Sequence, residues 1–355
     1  MMYNAGVFPG KFFPPHRGHL NSIIQAATQC DKLYVVVSDN MDIADEKCDD
    51  AGLPLMSLEL RAWWLAVELQ CIPHIEVITI DETGIPPYPD GTKQWTKLLK
   101  KDVPEKFDAI FGGEIEYKDT YMENFPGGKV DYVVHDYKRS RYPISATKIR
   151  EDYLKHWDYI LGAARRMFAR RVLITGTESC GKTTMAKYLG KIFHTSWTEE
   201  WGRHYPDKYL GGNDKLLRVE DFFNIAYEQS RIFDEEAMKA ANRIVFFDTD
   251  AVVTQFYCEL YTGAQNPDVE RFVDPSKYDV VLMLTPDVKW IPDGMRWNSD
   301  LAKRMNLHRK LRKMYKDRGF ERIVSIMGGS YNARLNIAVS LADDLLADRK
   351  FSTRF

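Results

Sequence analysis

Short apolar runs alternate with longer amphipathic stretches along the whole chain. Strands buried on both faces read as continuous apolar runs, and helices packed on them show one apolar stripe. The alternation therefore predicts α/β units wound on parallel sheets. In the first half, strands are expected at Tyr3–Phe8, Lys32–Ser38, Ile75–Ile80, Asp108–Phe111 and Val130–His135. Helical stretches between them include Arg17–Thr28 and Ser57–Cys71, where Trp63 and Trp64 read as packing residues. In the second half, strands are expected at Arg171–Thr175, Arg243–Asp248 and Tyr278–Leu284, with a weaker one at Arg322–Ser325. Helices follow Gly181, cross Val219–Ala241 and close the chain from Tyr331 to Asp348.

The amphipathic stretch Glu151–Phe168 ends in basic residues, and a fresh strand-loop-helix unit begins there. A boundary near Arg165–Arg170 follows, giving domains 1–167 and 168–355. A chain of 355 residues is long for one core and suits two. The proline-rich loop Ile85–Thr92 and the segment Tyr205–Asp214 are expected to be mobile.

Composition narrows the class. A 45% hydrophobic content supports two cores, and a net charge of −2 gives no reason to expect a nucleic-acid partner. The five cysteines, Cys30, Cys48, Cys71, Cys180 and Cys258, form no CxxC pair, which argues for free thiols in a reducing compartment. The start lacks a signal-peptide pattern, and no apolar run reaches the roughly 20 residues of a membrane span. The expected location is cytoplasmic, without stable membrane insertion; a homo-oligomer is left open.

The segment Gly10-Lys11-Phe12-Phe13-Pro14-Pro15-His16-Arg17-Gly18-His19 follows the first strand and opens the first helix. Phosphates bind at such a turn, beside the free amides of the helix start. Gly10 permits close backbone approach, and Gly18 keeps the first helical turn clear. His16 and His19, three apart, face one side and present two donors to phosphoryl oxygens. Ile144-Ser145-Ala146-Thr147-Lys148-Ile149-Arg150 follows the fifth strand. Ser145 and Thr147 suit a helix cap whose amides hold the β- and γ-phosphates, with Arg150 in reach. The plainer reading is a capped surface turn.

These two segments resemble the signatures GxFxPxHxGH and ISxTxxR of the HxGH nucleotidyltransferases, with Ala146 a variation. The resemblance implies a Rossmann-like domain in which a substrate phosphate attacks the α-phosphate of ATP. Lys11, His16, His19 and Arg150 would stabilise the transition state with Mg²⁺, and Gly10, Phe12, Gly18, Ser145 and Thr147 would bind ATP.

A second cradle follows Arg171–Thr175. Gly176-Thr177-Glu178-Ser179-Cys180-Gly181-Lys182-Thr183 is GxxxxGK[ST] to the letter. Its amides wrap the β-phosphate, with Gly176, Ser179, Cys180, Gly181, Thr183 and Thr184 around the nucleotide. Lys182 bridges β and γ, and Thr183 ligates Mg²⁺. Ile244–Phe247 leads into Asp248-Thr249-Asp250. Asp248 is the metal-side carboxylate; Asp250 is either metal-linked or, as assigned, at the acceptor. Because Asp-Thr-Asp is also a common helix cap, the plainer reading makes one of the two a cap only. Arg296, in Asp293–Trp297, and Arg304 suit a lid over the phosphates, or else a charged surface helix. Glu200 is a candidate to take the acceptor's proton, with Arg203 beside it to bind the acceptor; both also suit a solvated surface.

A HxGH transferase followed by a P-loop kinase with a parallel sheet resembles the bifunctional NadR-type proteins. Beyond the generic motifs, Glu200-Trp201-Gly202-Arg203-His204-Tyr205, Asp248-Thr249-Asp250 and Asp293-Gly294-Met295-Arg296 carry the likeness. It implies phosphorylation of nicotinamide riboside to nicotinamide mononucleotide (NMN), then adenylylation of NMN to NAD, with ATP as co-substrate. It also implies that Trp95 stacks on nicotinamide; a core anchor is the alternative. The first strand starts within a few residues of Met1, so the helix-turn-helix of many relatives is not expected, nor is operator binding. Two other readings are a coenzyme A synthesis fusion, and a nucleotide sensor with one decayed domain. The intact motif residues count against the sensor.

Overall fold

The computed structural model describes residues 2–125, 129–239, 241–288 and 300–347. The chain divides into two compact units, 1–168 and 169–355.

In the first unit β1 (Tyr3–Gly10) leads to α1 (Arg17–Ala27), β2 (Cys30–Asp39), α2 (Met41–Asp50), α3 (Leu58–Leu69) and β3 (Ile75–Asp81). The chain then returns through α4 (Thr92–Asp102), β4 (Ala109–Gly112), α5 (Lys118–Glu123), β5 (Asp131–Val134), α6 (Ala146–Glu151) and α7 (Gly162–Phe168). Its sheet has the order β3-β2-β1-β4-β5 with every pairing parallel. From Leu33 to Asp39 strand β2 is buried without interruption, as a strand covered on both faces must be. The order reverses between β1 and β4, which opens a crevice at the carboxyl end of β1.

In the second unit β6 (Arg170–Thr175), α8 (Lys182–Ile192), β7 (Trp197–Thr198), α9 (Trp201–Tyr209), α10 (Asp221–Arg231), β8 (Ile244–Asp248) and α11 (Ala251–Thr262) follow in turn. Next come β9 (Val280–Leu284), α12 (Leu301–Asp317), β10 (Ile323–Ile326) and α13 (Tyr331–Leu346). The sheet order β10-β9-β6-β8-β7, again parallel throughout, puts β6 at its centre. Val172, Ile174, Phe246 and Leu282 pack there against Met185 and Leu189 of α8 and Leu341 of α13.

The expected strands all form, with ends shifted by a few residues. Three expectations change. Tyr205–Asp214 is not a free loop at its start: α9 runs to Tyr209, anchored by the buried Tyr205, whose hydroxyl donates to Asp221 at 2.8 Å. Glu151–Phe168 is no single helix but breaks into short turns before α7, and Ile160 bridges back to His16. Trp64 packs in the core, whereas Trp63 is 46% exposed, since adjacent helical residues point about 100° apart. Among the described residues no helix is long and apolar enough to cross a membrane.

Candidate functional site

The crevice of the first unit is a cleft of about 640 Å³. Gly10, Lys11, Phe12, His16, Gly18, His19, Trp95, Ser145, Thr147 and Arg150 all line it, although they come from distant parts of the chain. β1 delivers the first of them, and α1 begins at the histidines. His16 is the N-cap of α1: its backbone is extended, and its Nδ1 accepts the His19 amide at 3.3 Å. That bond puts the ring proton on Nε2. The two rings stack with centroids 3.6 Å apart, their three-residue spacing having put both on one side. A Cβ on Gly18 would stand 3.1 Å from the His16 ring, so only glycine leaves the ring its present place. At Gly10 the close neighbour is the Phe12 ring, 3.0 Å from a Cβ there. Phe12 is buried and sets its ring edge-on to His19.

Burial drives the His16 pKa down to about 3, with Arg139 adding to the effect. Burial, then His16 and Arg139, holds His19 well below the usual range. Both imidazoles are therefore neutral hydrogen-bond donors near pH 7. Positive charge comes instead from Lys11 and Arg150. Lys11 Nζ donates to Asp39 at 2.7 Å. Arg150 donates to the Phe13 carbonyl, lies 4.8 Å from the Phe13 ring, and reaches Thr147 Oγ1 at 3.3 Å. Of the two expected caps, Ser145 takes the role on α6, accepting the Lys148 amide at 3.2 Å. Thr147 instead holds Arg150. Trp95 is both core and lining: it is 7% exposed, packs with Leu99 and Val36, and its Nε1 donates to Ser38 at 3.4 Å.

Asp39 and Arg61 had no place in the sequence reading. Arg61 is fully buried on α3, where it donates to Asp39 at 2.9 Å and to the Lys11 carbonyl at 2.7 Å. It thus fixes both the backbone of Lys11 and the carboxylate that holds its ammonium. Asp39 had a faint signal, an acid ending an apolar strand; Arg61, one cation on an amphipathic helix, had none.

In the second unit the loop from Gly176 to Lys182 joins β6 to α8. Gly176 has φ 146° and a Cβ there would meet the Leu284 carbonyl at 2.7 Å, so glycine is obligatory. Ser179 also adopts positive φ, at 61°. The Thr177 and Ser179 hydroxyls are buried without a partner among the described residues, which marks a cradle built for a polar ligand. Cys180 takes part in the loop through its backbone. Its thiol is buried and donates to the Thr177 carbonyl at 2.9 Å, leaving only its backbone to face a nucleotide. Arg334 supports the loop from below by donating to the Cys180 carbonyl at 3.3 Å. Thr184 is exposed on the first turn of α8.

Lys182 is buried, 3.8 Å from Glu200, whose carboxylate also accepts from Arg203 at 3.2 Å. Burial works against both charges, yet Glu200 raises the Lys182 pKa, and Lys182 with Arg203 holds Glu200 below the usual carboxylate range. Glu200 is thus no solvated surface residue. Thr183 donates to Asp248 at 2.5 Å. Burial, only partly offset by Lys182, pushes Asp248 up to about 6.

Asp250, expected at the acceptor, turns elsewhere. It caps α11 through the Val253 amide at 3.3 Å and accepts the Tyr315 hydroxyl at 2.5 Å. Glu200, Arg203, Gln229, Thr249 and Tyr257 line a small cavity of about 90 Å³ that Asp250 does not reach. Arg304 is buried on α12, and its Nε and Nη2 lack a partner among the described residues. Arg296 and the rest of Asp293–Trp297 lie outside the described residues.

Comparison with known proteins finds a cytidylyltransferase-like family model over residues 7–152 and an AAA domain model over 171–334. The trifunctional NAD biosynthesis/regulator protein NadR of Escherichia coli (strain K12) is 32% identical over 97% of this chain and 84% of its own length. Its Salmonella typhimurium counterpart is 31% identical over 98% and 84%. A phosphopantetheine adenylyltransferase of Mycoplasma mycoides is 29% identical over 41% of this chain and 94% of its own. A crystal structure of a NadR protein in complex with NAD and AMP-PNP superposes with TM-score 0.75 at 26% identity, covering 99% of this chain and 98% of that one.

Proposed function

The chain belongs to the NadR family of NAD biosynthesis proteins, and from that premise we infer that it makes NAD from nicotinamide riboside in two ATP-dependent steps. Residues 169–355 phosphorylate the riboside to NMN; residues 1–168 transfer the adenylyl group of ATP to NMN and release pyrophosphate. The observation that carries this reading is the pair of separate phosphate cradles in a chain that aligns with NadR over nearly its whole length. The adenylyltransferases of coenzyme A synthesis account for only 41% of the chain, so the fusion for that pathway is the weaker reading.

In the transferase step a phosphate oxygen of NMN bonds to the α-phosphorus of ATP as the bond to pyrophosphate breaks. Lys11 and Arg150 supply positive charge to the phosphoryl oxygens, and His16 and His19 donate from neutral imidazoles. Ser145 and the start of α6 hold the leaving β- and γ-phosphates, and Thr147 orients Arg150. Gly10, Phe12 and Gly18 shape the turn. Trp95 offers its ring to nicotinamide.

In the kinase step the riboside hydroxyl oxygen bonds to the γ-phosphorus as the bond to ADP breaks, while Glu200 takes the hydroxyl proton. Lys182 leaves Glu200 for the β- and γ-oxygens, and the Thr177 and Ser179 hydroxyls gain partners. Arg203 orients Glu200, and Arg304 with Arg296 would close on the phosphates. The hydroxyl of Thr183 and the carboxylate of Asp248 are adjacent hard-oxygen donors, which with phosphate oxygens and water fit Mg²⁺. When bound, the ion neutralises charge on the β- and γ-phosphates. The five free thiols suit the cytoplasm as the site of both reactions.

The test is an assay of the full chain with nicotinamide riboside, ATP and Mg²⁺, following both products. NMN and then NAD should accumulate. Failure to form NAD from supplied NMN, or preferential turnover of phosphopantetheine, would remove the transferase assignment.

A further inference from the structure

Five aromatic side chains that phosphoryl transfer does not use line the transferase cleft: Trp95, Tyr88, Tyr117, Tyr121 and Tyr132. They form one connected group. Ring centroids are 4.5 Å apart for Tyr88–Tyr117, 5.9 Å for Tyr117–Tyr121, 5.2 Å for Tyr121–Trp95 and 5.8 Å for Tyr121–Tyr132. Core packing alone does not account for them, because none of the four tyrosines is fully buried and Tyr88 is 44% exposed.

The rings are held in place. Tyr132 donates to the Glu114 carbonyl at 2.8 Å, past Gly112, where a Cβ would stand 2.4 Å from the hydroxyl. Tyr88 donates to the Glu116 carbonyl at 3.2 Å, which ties the proline-rich loop to the segment before α5. Glu82 and Glu114 share the lining, with Arg139 3.6 Å from Glu114 as the local opposing charge.

We propose that this cluster selects its ligand ring by positive charge, taking the pyridinium of NMN and discriminating against the same nucleotide with a neutral dihydropyridine ring. The inference rests on the adenylyltransferase reading above. The faces of aromatic rings are negative, and a cation within about 6 Å of a centroid is attracted to them. Glu82 and Glu114 add to that potential. Oxidised and reduced NMN share the carboxamide, ribose and phosphate and are nearly equal in size, so contacts with those groups discriminate weakly between them. The ring's charge is what differs most. Trp95 and Tyr121, already stacked on each other, leave no gap for a third ring between them. The pyridinium therefore sits on faces these two rings do not share.

Calorimetry on the full chain with NMN and with reduced NMN tests the idea. NMN should bind about tenfold more tightly. Tyr121→Leu and the more exposed Tyr88→Leu should bring the ratio toward one, while Tyr117→Phe, which keeps its ring, should preserve it. The circular dichroism and thermal midpoint of each variant report that residues 1–168 have folded. Equal affinity in the unaltered protein, or a ratio unmoved by the leucine variants, overturns the proposal. Loss of binding by both nucleotides would instead remove the transferase reading, and this inference with it.

Discussion

In the cleft of residues 1–168 Lys11 stands toward solvent, its side chain half exposed and held by Asp39, and the two histidines beside it are neutral. In the cradle of residues 169–355 the cation is buried and already paired, Lys182 against Glu200, with Asp248 nearby. Both lysines are paired, since Asp39 holds Lys11 at 2.7 Å, but the first pair stands at an open crevice where water screens it. The second is what a closed loop demands, because a buried charge without a partner is costly. Ligand meets a half-exposed, screened pair in one site and a buried pair in the other. The two sites should therefore respond differently to the loss of a residue and to pH.

The largest effect is expected from Lys182→Ala, which should lower riboside phosphorylation by at least about 10³-fold while adenylylation persists. Loss of both activities without unfolding would break the two-site picture. His19→Ala should lower adenylylation by about 10²-fold and leave the kinase intact, as two single-substrate assays will report. Arg61→Met should slow adenylylation by about tenfold, mainly in kcat, by releasing the Lys11 backbone and Asp39; Arg61→Lys should recover part of it. If Arg61→Met changes only thermal stability, its role is packing alone.

The smallest effect is in pH. With Asp248 raised to about 6, the carboxyl is ionised above that pH and protonated below it, and only the ionised form takes a metal. Affinity for Mg²⁺ with a nonhydrolysable ATP analogue should thus fall severalfold between about pH 7.5 and about pH 5.5, and Asp248→Asn should flatten the part due to the protein. The ring resonances of His16 and His19 should stay fixed over that range, since both titrate far below it.

Motifs local in sequence were legible because their geometry is local. The strand-loop-helix turns, the stacking of His16 on His19 and the ends of β1, β6 and β8 all follow from spacing within a few residues. Trp95 was readable as ring or core but not as both. Cys180 and Asp250 show what such motifs leave open: they fix where the backbone goes, and which way a side chain turns depends on Thr177 in one case and on Tyr315, from α12, in the other.

What the sequence determined alone was the class of chemistry: alternating apolar runs dictate parallel α/β units, and glycine-rich turns at strand ends dictate phosphate cradles. What tertiary structure decided was the surroundings that give those motifs their charge state and precision. Arg61 reaches Lys11 and Asp39 across long stretches of chain, and Tyr121 meets Trp95 only once β4 and β5 have paired on the far side of β1. Burial, and the charges it brings face to face, belong to the folded sheet and to no segment of it.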